Sequence, residues 1–350
     1  MIRVCSSLVR MGLRVELVGR LLKSSLSPGK TEYKTTRIRL FFNKGMFFYA
    51  EFNIRLFFYL LFSKADIFLS NDLDTLPANF LAAKLRRKHL VFDSHELFTE
   101  VPELIHRPLV RKFWLRIEKL ILPEIRFAYT VSDSIASVYR ERYGTHFRVI
   151  RNVPFRLKNM KSKSEAPDNT EKTVLYQGSL NEGRGLESAI MAMKFLDHTK
   201  LIIAGDGDIS QKLKDLANNE NLSDKVTFTG RLSPESLKEL TLQADLGLSV
   251  EEDRGLNYRY ALPNKLFDYI QAGVPVLVSD LPEMAALVGK WQTGLVTPSH
   301  EPEILAGKIR EALTNEDQRK KWKDNLLKAA EELNWENEEL KLKEIFRPLI

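Results

Sequence analysis

Short runs of β-branched residues alternate with amphipathic helical patterns along almost the whole chain, and this alternation constrains the fold more than any other feature. Alternation of this kind is typical of parallel sheets whose faces are covered by helices. We therefore predict an α/β fold with two doubly wound sheets. The predicted strands are 13–19, 34–42, 65–71, 89–95, 127–132 and 147–152 in the first half, and 173–178, 201–205, 226–230, 245–250, 274–280 and 293–297 in the second.

The alternation stops over residues 153–172, which are polar and rich in helix and strand breakers, so this stretch is predicted to be a linker. We predict a Rossmann-like domain at 1–152, a second one at 173–333, and a C-terminal segment, 334–350, that packs back on the first domain. The chain should end in two helices, at 301–333 and 336–348. Two such domains facing each other form a central cleft, where ligands of these folds bind.

Composition narrows the class of protein. With 350 residues and 44% apolar content, the chain can bury a large core. The single cysteine, Cys5, excludes a disulfide within the chain, and we expect no membrane-spanning segment because no apolar run reaches about 18 uncharged residues. The arginine-rich start lacks the apolar run of a secretory signal, so we expect a cytoplasmic location.

The positive charge is concentrated in the first half of the chain. Residues 1–163 contain 30 Lys and Arg against 14 Asp and Glu, a net charge of +16, while the remainder carries −9. Residues 37–64 are also dense in Phe and Tyr. They are interpreted either as a surface for peripheral association with an anionic membrane, or as a strand and a buried helix with Glu51, Asn53 and Arg55 on its polar side. Because no nucleic-acid-binding signature accompanies the charge, we expect no nucleic acid partner.

The segment PNKLFDYIQAG, which begins at Pro263, has the pattern of a helix start beside a buried strand. Pro263 suits the first helical position, where the free amides of the first turn can meet an anion. At about 100° per residue, one side of this helix carries its polar residues, Asn264, Lys265, Asp268 and Gln271. That side either faces the cleft, with Asp268 placed to hold a ribose diol beneath a bound diphosphate, or is an ordinary solvated face.

The glycine-rich turn GSLNEGRGLE, residues 178–187, follows a strand and precedes a helix. It nearly matches the phosphate loop of nucleoside triphosphatases, but Arg184 stands where that loop has lysine and Gly185 where it has a hydroxyl, so we expect no such enzyme. Dinucleotide binding is not expected either, because Ser188 takes the place of a third glycine. The turn is interpreted either as a backbone-lined phosphate site gripped by Arg184, or as a tight turn with a surface arginine.

Two weaker motifs follow predicted strands. Asp72 and Asp74 have the spacing of metal-dependent sugar-nucleotide enzymes, but this spacing is common by chance and we expect no metal site. His95 and Glu96 lie at the carboxyl edge of the strand 89–95. A histidine there can orient a substrate or transfer a proton, or it can simply cap a turn.

The segments YQGSLNEGRGLESAIMAM, LIIAGDGD, VTFTGRLSPESLKEL and NYRYALPNKLFDYIQAGVPVLVSDLPEM together resemble the donor-binding domain of glycosyltransferase family 4. The segment VFDSHELFTEVPEL resembles the acceptor-side loop of the first domain in the same family. The resemblance covers nearly the whole chain and implies the GT-B fold, with acceptor-side residues in 1–152 and the donor-binding domain at 173–333. It also implies a retaining, hexosyltransferase-type enzyme that moves a sugar from a nucleotide-diphosphate donor to a hydroxyl, with no metal or other cofactor.

The resemblance also implies roles for individual residues. The implied catalytic residues are Arg184, Lys265 and His95. The implied donor-binding residues are Gly178, Ser179, Gly183, Gly230, Arg231, Leu262, Pro263, Asn264 and Asp268, with Asp268 on the ribose. The implied acceptor-side residues are Asp93, His95 and Glu96.

Three departures from the family pattern bear on the site. Tyr260 stands eight residues before Asp268, where many members have a glutamate. Ser179 and Arg184 replace the usual arginine and lysine, so the charge opposite the diphosphate rests on Arg184 and Lys265. The chain begins with a helical pattern, so the first strand of the first sheet is expected to be missing.

These observations predict a glycosyltransferase of cell-surface polysaccharide or glycolipid synthesis. Its partners would be a nucleotide sugar and a glycan or lipid-linked acceptor, in the cytoplasm or at the inner face of the cytoplasmic membrane. The alternatives are an inactive or binding-only relative and a GT-B sugar-nucleotide epimerase.

Overall fold

The structure is a computed structural model that describes residues 1–23, 25, 29–157 and 171–350. The chain divides into two units, which we call unit 1 (Met1–Arg151 with Glu338–Ile350) and unit 2 (Asn152–Asn337). The end of the chain thus falls in unit 1, beside the residues that the sequence assigns to the first domain. Most of the predicted linker, residues 158–170, lies outside the described residues.

Unit 1 contains two parallel sheets flanked by helices. Its strands are β1 (Glu16–Leu21), β2 (Lys34–Arg39), β3 (Ile67–Asn71), β4 (His89–Ser94), β5 (Phe127–Thr130) and β6 (Arg148–Val149). Its helices before the linker are α1 (Ile2–Arg10), α2 (Gly45–Phe62), α3 (Leu76–Arg86), α4 (Pro102–Ile105), α5 (Pro108–Ile121) and α6 (Asp133–Tyr143). β1 pairs with β2 in one sheet, and the other sheet has the order β3-β4-β5-β6.

The two sheets of unit 1 are separate from each other. In the described part of unit 1, β1 and β3 belong to different sheets, and each pairs only with the strand that follows it. A Rossmann sheet has its first strand at the centre, between the second and the fourth, and the described strands of unit 1 do not form such a continuous sheet.

Helix α2 buries one face in the core of unit 1. Phe48, Phe52, Leu56 and Leu60 recur every four residues, which places them on one side of the helix, and they pack with Phe68 of β3. By length and composition α2 is also the one helix among the described residues that could cross a membrane, although 22% of it is buried. α2 passes this test because the test tolerates two charged residues, whereas the sequence expectation concerned an uncharged run, which Glu51 and Arg55 interrupt.

Unit 2 contains one parallel sheet with helices on its faces. Its strands are β7 (Lys172–Gln177), β8 (Thr199–Ala204), β9 (Val226–Gly230), β10 (Leu246–Ser249), β11 (Val276–Ser279) and β12 (Gly294–Thr297). Its helices are α7 (Leu186–Ala192), α8 (Ser210–Asn219), α9 (Pro234–Leu242), α10 (Leu256–Arg259), α11 (Asn264–Gln271), α12 (Pro282–Trp291), α13 (Pro302–Thr314) and α14 (Glu316–Glu332). The helix α15 (Trp335–Phe346) leads back into unit 1. Every predicted strand is present, with ends within three residues of the prediction.

The strand order of unit 2 determines where a ligand can bind. The order is β12-β11-β10-β7-β8-β9, so the chain builds from β7 toward one edge and then returns to β10 and builds toward the other. Ligands of open α/β sheets bind at the carboxyl ends of the strands where the order reverses. In unit 2 this switch point lies between β7 and β10.

The end of unit 2 differs from its prediction. The single helix predicted at 301–333 is two helices, α13 and α14, which meet at Asn315. The Asn315 side chain accepts a hydrogen bond from the Gln318 amide at 3.1 Å and so caps α14. Asparagine at this position favours a new helix start over a continuous helix.

A buried carboxylate in unit 1 connects three elements. Glu118 of α5 is 1% exposed, and its Oε2 accepts hydrogen bonds from the Tyr143 hydroxyl at 2.6 Å and the Thr99 hydroxyl at 3.2 Å. Burial raises the pKa of Glu118 to about 7. The folded chain therefore binds this proton more tightly than the unfolded chain, in which the pKa is near its ordinary value of 4.5.

This shift predicts a pH dependence of stability. Because the folded-state pKa is the higher one, the Glu118 contribution to the free energy of unfolding is full below about pH 4.5 and is lost as the pH rises to about 7. The loss is about 3 kcal/mol at about 1.4 kcal/mol per pKa unit. Glu118→Gln keeps the hydrogen-bond acceptor without the charge, so its stability relative to the wild type should rise by about that amount from pH 5 to pH 8.

Denaturant unfolding at both pH values measures this difference. Glu124→Gln is the matched control, since Glu124 is half-exposed and its partner is the surface residue Lys84. The control should follow the wild type across the pH range. Parallel pH curves for Glu118→Gln and the wild type would show that Glu118 does not carry the buried proton.

Candidate active site

The turn between β7 and α7 packs directly against the end of β10. Gly178, Gly183 and Gly185 in this turn have φ angles of 138°, 79° and 68°, a region that disfavours side chains. A Cβ atom at Gly185 would lie 2.0 Å from the Val250 carbonyl oxygen. The glycines thus allow the turn to approach the backbone that follows β10.

The segment after β10 fastens this turn with further hydrogen bonds. The Glu252 amide donates to the Gly183 carbonyl at 2.9 Å, and the Tyr258 hydroxyl donates to the Glu182 carbonyl at 3.0 Å. Arg254 forms an ion pair with Glu182 at 3.3 Å. The predicted phosphate turn is therefore held in place from the other side of the switch point.

Two cations meet on one buried carboxylate at the switch point. The Lys265 Nζ lies 2.6 Å from Glu251 Oε1, and an Arg184 terminal nitrogen lies 3.6 Å from the same oxygen. The Lys265 ammonium also lies over the Tyr176 ring, 4.0 Å from its centroid, and the Arg184 guanidinium lies 5.1 Å from the centroid of Tyr258. The structure thus brings together both cations that the sequence assigns to the diphosphate.

Glu251 keeps its negative charge in this setting. It is fully buried and accepts a hydrogen bond from the Ser249 hydroxyl at 2.8 Å. Burial acts to raise the pKa of Glu251, but the charges of Lys265 and Arg184 and the hydrogen bonds to the carboxylate outweigh burial, so the pKa is lowered. The group is therefore an ionised partner of both cations.

The start of α11 lies beside the same turn. The helix begins at Asn264 with Pro263 as its N-cap, one residue later than predicted. The first-turn amides of an α-helix have no partner within the helix, and they carry partial positive charge. A Cβ atom at Gly178 would lie 3.5 Å from Lys265 Cε, which shows how closely the turn and the helix start approach each other.

The predicted ribose ligand, Asp268, is held by a chain of polar side chains. Gln177, the last residue of β7, donates from Nε2 to Asp268 Oδ2 at 3.0 Å and accepts at Oε1 from the Thr241 hydroxyl at 2.8 Å. Asp268 is partly exposed, whereas Gln177 and Thr241 are buried. This arrangement fixes the carboxylate about one helical turn from the start of α11 while leaving part of it accessible.

Gln271 does not belong to the polar face that the sequence predicts. It is 1% exposed, and its Nε2 donates to the carbonyls of Ala330 and Leu333 at 2.7 and 3.0 Å. Its side-chain oxygen accepts from the Leu157 amide at 3.1 Å. The prediction was wrong because the helical spacing shows only which side a polar residue is on, and α14 covers that part of α11.

The neighbouring strand ends carry the other predicted donor positions. The Gly205 amide after β8 donates to the Gly230 carbonyl at the end of β9 at 2.9 Å, and a Cβ atom at Gly205 would lie 1.8 Å from the Gly178 carbonyl oxygen. These three glycines therefore lie side by side at the carboxyl edge. The Arg231 side chain is 81% exposed and lies 3.8 Å from Asp206.

The predicted acceptor-side residues lie at the carboxyl edge of β4 in unit 1. Asp93 is fully buried, and its Oδ2 lies 3.1 Å from His95 Nε2 and accepts from the Tyr129 hydroxyl at 2.8 Å. The His95 amide donates to Asp72 Oδ1 at 2.8 Å. The His95 side chain is 29% exposed, whereas that of Asp93 is fully buried. The imidazole is therefore the part of this pair that solvent can reach.

The charges of this cluster are coupled. Burial acts to lower the pKa of His95, but the hydrogen bond and charge of Asp93 and the charge of Asp72 outweigh burial and raise it. Burial raises the pKa of Asp72 to about 6, and burial together with the charge of Asp72 raises the pKa of Asp74 to about 6. The pair Asp72 and Asp74 is thus part of a histidine–carboxylate cluster, and no group of three ligands suited to a metal ion occurs among the described residues.

Comparison with known proteins identifies the family. The family model described as Glycosyl transferases group 1 matches residues 158–329, and the model described as Glycosyltransferase Family 4 matches residues 1–153. Together these matches cover well over half of the sequence. The chain belongs to glycosyltransferase family 4.

One curated relative in the family is the alpha-monoglucosyldiacylglycerol synthase of Streptococcus pneumoniae. It is 30% identical over 164 residues, which cover 45% of this chain and 34% of the relative. The matched region thus spans about a third of that relative's length.

Solved structures show the GT-B fold. Sucrose-phosphate synthase from Thermosynechococcus elongatus matches with a TM-score of 0.80 and 19% identity, covering 99% of this chain and 92% of that one. Anabaena HepE in complex with UDP-glucose matches with a TM-score of 0.69 and 17% identity, covering 90% of this chain and 86% of that one. The fold predicted for this family 4 member is therefore confirmed.

Two residues of the site were missed by sequence reasoning. Glu251 lies 14 residues before Lys265, at a spacing that fits no local motif. Gln177 was taken as part of a strand, although a polar residue at the end of an apolar run, YQG, is a signal for a carboxyl-edge position. The contacts of Glu251 with Arg184 and of Gln177 with Asp268 join residues that are far apart in the chain, so the fold was needed to find them.

The close approach at Gly185 yields a stability prediction. Gly185→Ala should destabilise unit 2 by more than the about 1–2 kcal/mol that a left-handed residue costs, because the new Cβ must also displace the Val250 carbonyl. Gly230→Ala is the matched control, since Gly230 has nearly the same φ, 67°, with nothing within 4 Å of the added atom.

Denaturant unfolding of the two variants measures the difference. The control should lose about 1–2 kcal/mol from backbone strain alone. Equal losses in the two variants would mean that the turn does not depend on its contact with Val250.

Proposed function

We propose that this chain transfers a sugar from a nucleotide-diphosphate donor to a hydroxyl acceptor, with retention at the anomeric carbon and without a metal. The observation that carries the proposal is the meeting of Arg184 and Lys265 beside the Gly178 turn and the start of α11. Cationic side chains and free helix-start amides are the groups that stabilise a diphosphate leaving group. The family membership of the chain and the Anabaena structure with UDP-glucose support this reading.

In this proposal each part of the site has one task. As the sugar–phosphate bond breaks, its electron pair passes to the terminal phosphate oxygen, and the growing charge is stabilised by Arg184, Lys265 and the first-turn amides. Because these groups supply the positive charge, the reaction needs neither a metal nor another cofactor. Asp268, held by Gln177, binds the ribose diol of the donor.

The acceptor hydroxyl forms the new bond to the anomeric carbon on the face from which the phosphate departs, which gives retention. As the bond forms, the proton of the hydroxyl passes to the departing phosphate oxygen or to the His95 imidazole. His95 is the acceptor-side group proposed to orient this hydroxyl or share its proton, since Asp93 orients the imidazole and raises its affinity for a proton. Gly230 and Arg231 are proposed to lie by the base.

The acceptor is proposed to be a glycan or a lipid-linked glycan in polysaccharide or glycolipid synthesis. The curated relative from Streptococcus pneumoniae is named for a glycolipid. A lipid-linked acceptor would place the enzyme at the inner face of the cytoplasmic membrane. An observation in unit 1 supports this location.

Unit 1 exposes an aromatic surface among basic residues. We use the name aromatic surface for the exposed side chains Phe41, Phe42, Met46, Phe47, Ile54, Phe58 and Phe62. The buried face of α2 packs in the core, so the opposite face is available to enter a lipid interface in the membrane plane. The net charge of +16 on residues 1–163 would add attraction to anionic lipid.

The donor site makes a prediction about turnover. Arg184→Ala should lower kcat by about 10²- to 10³-fold, because one stabilising donor to the leaving group is lost. Asp268→Ala should act mainly on donor affinity, because the ribose contact is present before and during the reaction. Calorimetry with a panel of nucleoside diphosphates, and product formation measured with excess chelator, separate the two effects.

Arg259→Ala is the control for this experiment, since Arg259 is a surface cation of unit 2 paired with Asp253. It should leave affinity and rate unchanged. Nuclear magnetic resonance of the first product reports its anomeric configuration. A wild-type chain that binds no nucleoside diphosphate, or variants that retain full affinity and rate, would remove the proposed site.

The aromatic surface makes a separate prediction about membranes. The wild type should float with vesicles that contain phosphatidylglycerol, and added salt should weaken this binding by screening. Phe47→Ser with Phe58→Ser should reduce flotation, because two exposed apolar groups are lost. Ile304→Ser with Leu327→Ser is the matched control in unit 2, where both residues are similarly exposed.

Flotation should be unaffected in the control pair. If the wild type stays soluble with anionic vesicles at low salt, the proposed location is wrong. The donor-site proposal does not depend on this result.

A further inference from the structure

We propose that Glu251 is a positioning residue that gathers Arg184 and Lys265 into a pre-formed site for a nucleoside diphosphate. This inference rests on the proposed function of the same site. It adds a residue that neither the sequence pattern nor the family resemblance points to. Glu251 acts through the two cations, because its own side chain is fully buried.

The geometry shows a carboxylate whose two oxygens have different partners. Oε1 lies 2.6 Å from the Lys265 ammonium and 3.6 Å from the Arg184 guanidinium, while Oε2 accepts from the Ser249 hydroxyl. Ser249 is the last residue of β10 and is fully buried. The carboxylate is thus fixed to the sheet, and its ion pairs hold the side chains of Lys265 and Arg184 in place.

The cations need such a partner. Lys265 is only 8% exposed and the Arg184 side chain 27%, so water offsets little of the repulsion between them. A buried charge without an opposite charge is strongly unfavourable. Without Glu251 the two groups would separate, and the arrangement that a diphosphate needs would be lost.

The site also keeps unused hydrogen-bonding capacity. The Arg184 Nε is buried and has no hydrogen-bond partner among the described residues. The ion pair with Glu251 therefore leaves part of the hydrogen-bonding capacity of the Arg184 guanidinium unused. The Arg184 side chain is 27% exposed, and its exposed donors are the ones that phosphate oxygens, which guanidinium groups bind in pairs, would contact.

Removing the charge of Glu251 should change the affinity for a diphosphate in the direction opposite to that expected from charge alone. A carboxylate beside a diphosphate repels it, so if Glu251 had no positioning role, removing its charge would tighten binding of the anion. If Glu251 positions the cations, the same change weakens binding and slows the reaction, because pre-organisation is lost.

The test uses the full chain and Glu251→Gln, which keeps the shape and one acceptor oxygen. We expect the Kd for uridine diphosphate, or for the nucleoside diphosphate that binds best in a panel, to rise by about tenfold. We expect kcat to fall by about 10²-fold, the order that misplaced groups cost. Asp253→Asn is the charge-matched control on the same loop, since Asp253 is paired with the surface residue Arg259 and should leave both constants unchanged.

A double-mutant cycle distinguishes positioning from a general loss of structure. In a Lys265→Met background, the effect of Glu251→Gln on Kd should be smaller than in the wild type, because one of the two partners through which Glu251 acts is gone. Effects that are fully additive in both a Lys265→Met and an Arg184→Met background would assign Glu251 a role independent of both cations and would overturn the proposal. If Glu251→Gln unfolds, Ser249→Ala provides the same test, with a smaller rise in Kd expected since only the anchor of the carboxylate is lost.

The outcomes separate this inference from the proposed function. A wild type that binds no nucleoside diphosphate and transfers no sugar contradicts the proposed function. A wild type that binds and turns over, with a Glu251→Gln variant that binds equally well or more tightly, contradicts the positioning role alone.

Discussion

The pairing of β7 with β10 is the interaction on which the site of unit 2 depends. Leu246 and Gly247 of β10 lie opposite Val174 and Leu175 of β7, although about 70 residues separate them in the chain. Both strands are parallel and almost wholly buried, so the helices on the two faces hold them in register. Their carboxyl ends therefore deliver the glycine turn and Glu251 to one place.

A tyrosine of α11 secures the helix to the same two strands. The Tyr269 hydroxyl donates to the Leu175 carbonyl at 3.0 Å and accepts from the Gln177 amide at 3.1 Å. Its ring lies over Gly247, where an added Cβ would be 2.4 Å from the ring carbon Cδ2. Lys265 and Asp268 are on the same helix. Their positions are therefore fixed by the packing of this helix against the buried strands.

The sequence predicted much of this arrangement, and its limits have a physical cause. Alternating apolar runs predicted every strand, because buried parallel strands need continuous apolar residues. Arg184, Lys265 and Asp268 were found because turn glycines and helix starts have local signals. Glu251 was missed and Gln271 was misjudged, because whether a polar residue is buried and what it contacts depend on strand order and on α14, which local patterns do not contain.

Unit 1 also contains a cluster that local sequence patterns and overall charge did not predict. The basic character of residues 1–163 gives no hint of the acids that the structure places at this strand edge, the buried Asp93 and the partly exposed Asp72 and Asp74. The excess of positive charge lies instead on the surface, as hydration of charged groups favours. The aromatic residues of α2 divide in a similar way, since one face is core and the other is exposed.

The two units therefore use buried carboxylates differently. In unit 2 Glu251 has two cationic neighbours, and their charges outweigh burial and keep it ionised. In unit 1 burial is the main cause that raises the pKa values of Asp72 and Asp74 to about 6. The charge of Asp93 adds to the rise at Asp72, and the charge of Asp72 adds to the rise at Asp74. The site of unit 2 is thus a net cationic triad, whereas the cluster of unit 1 presents an imidazole whose pKa is raised. The roles proposed for Arg184, Lys265 and His95 thus rest on carboxylates in opposite electrostatic settings.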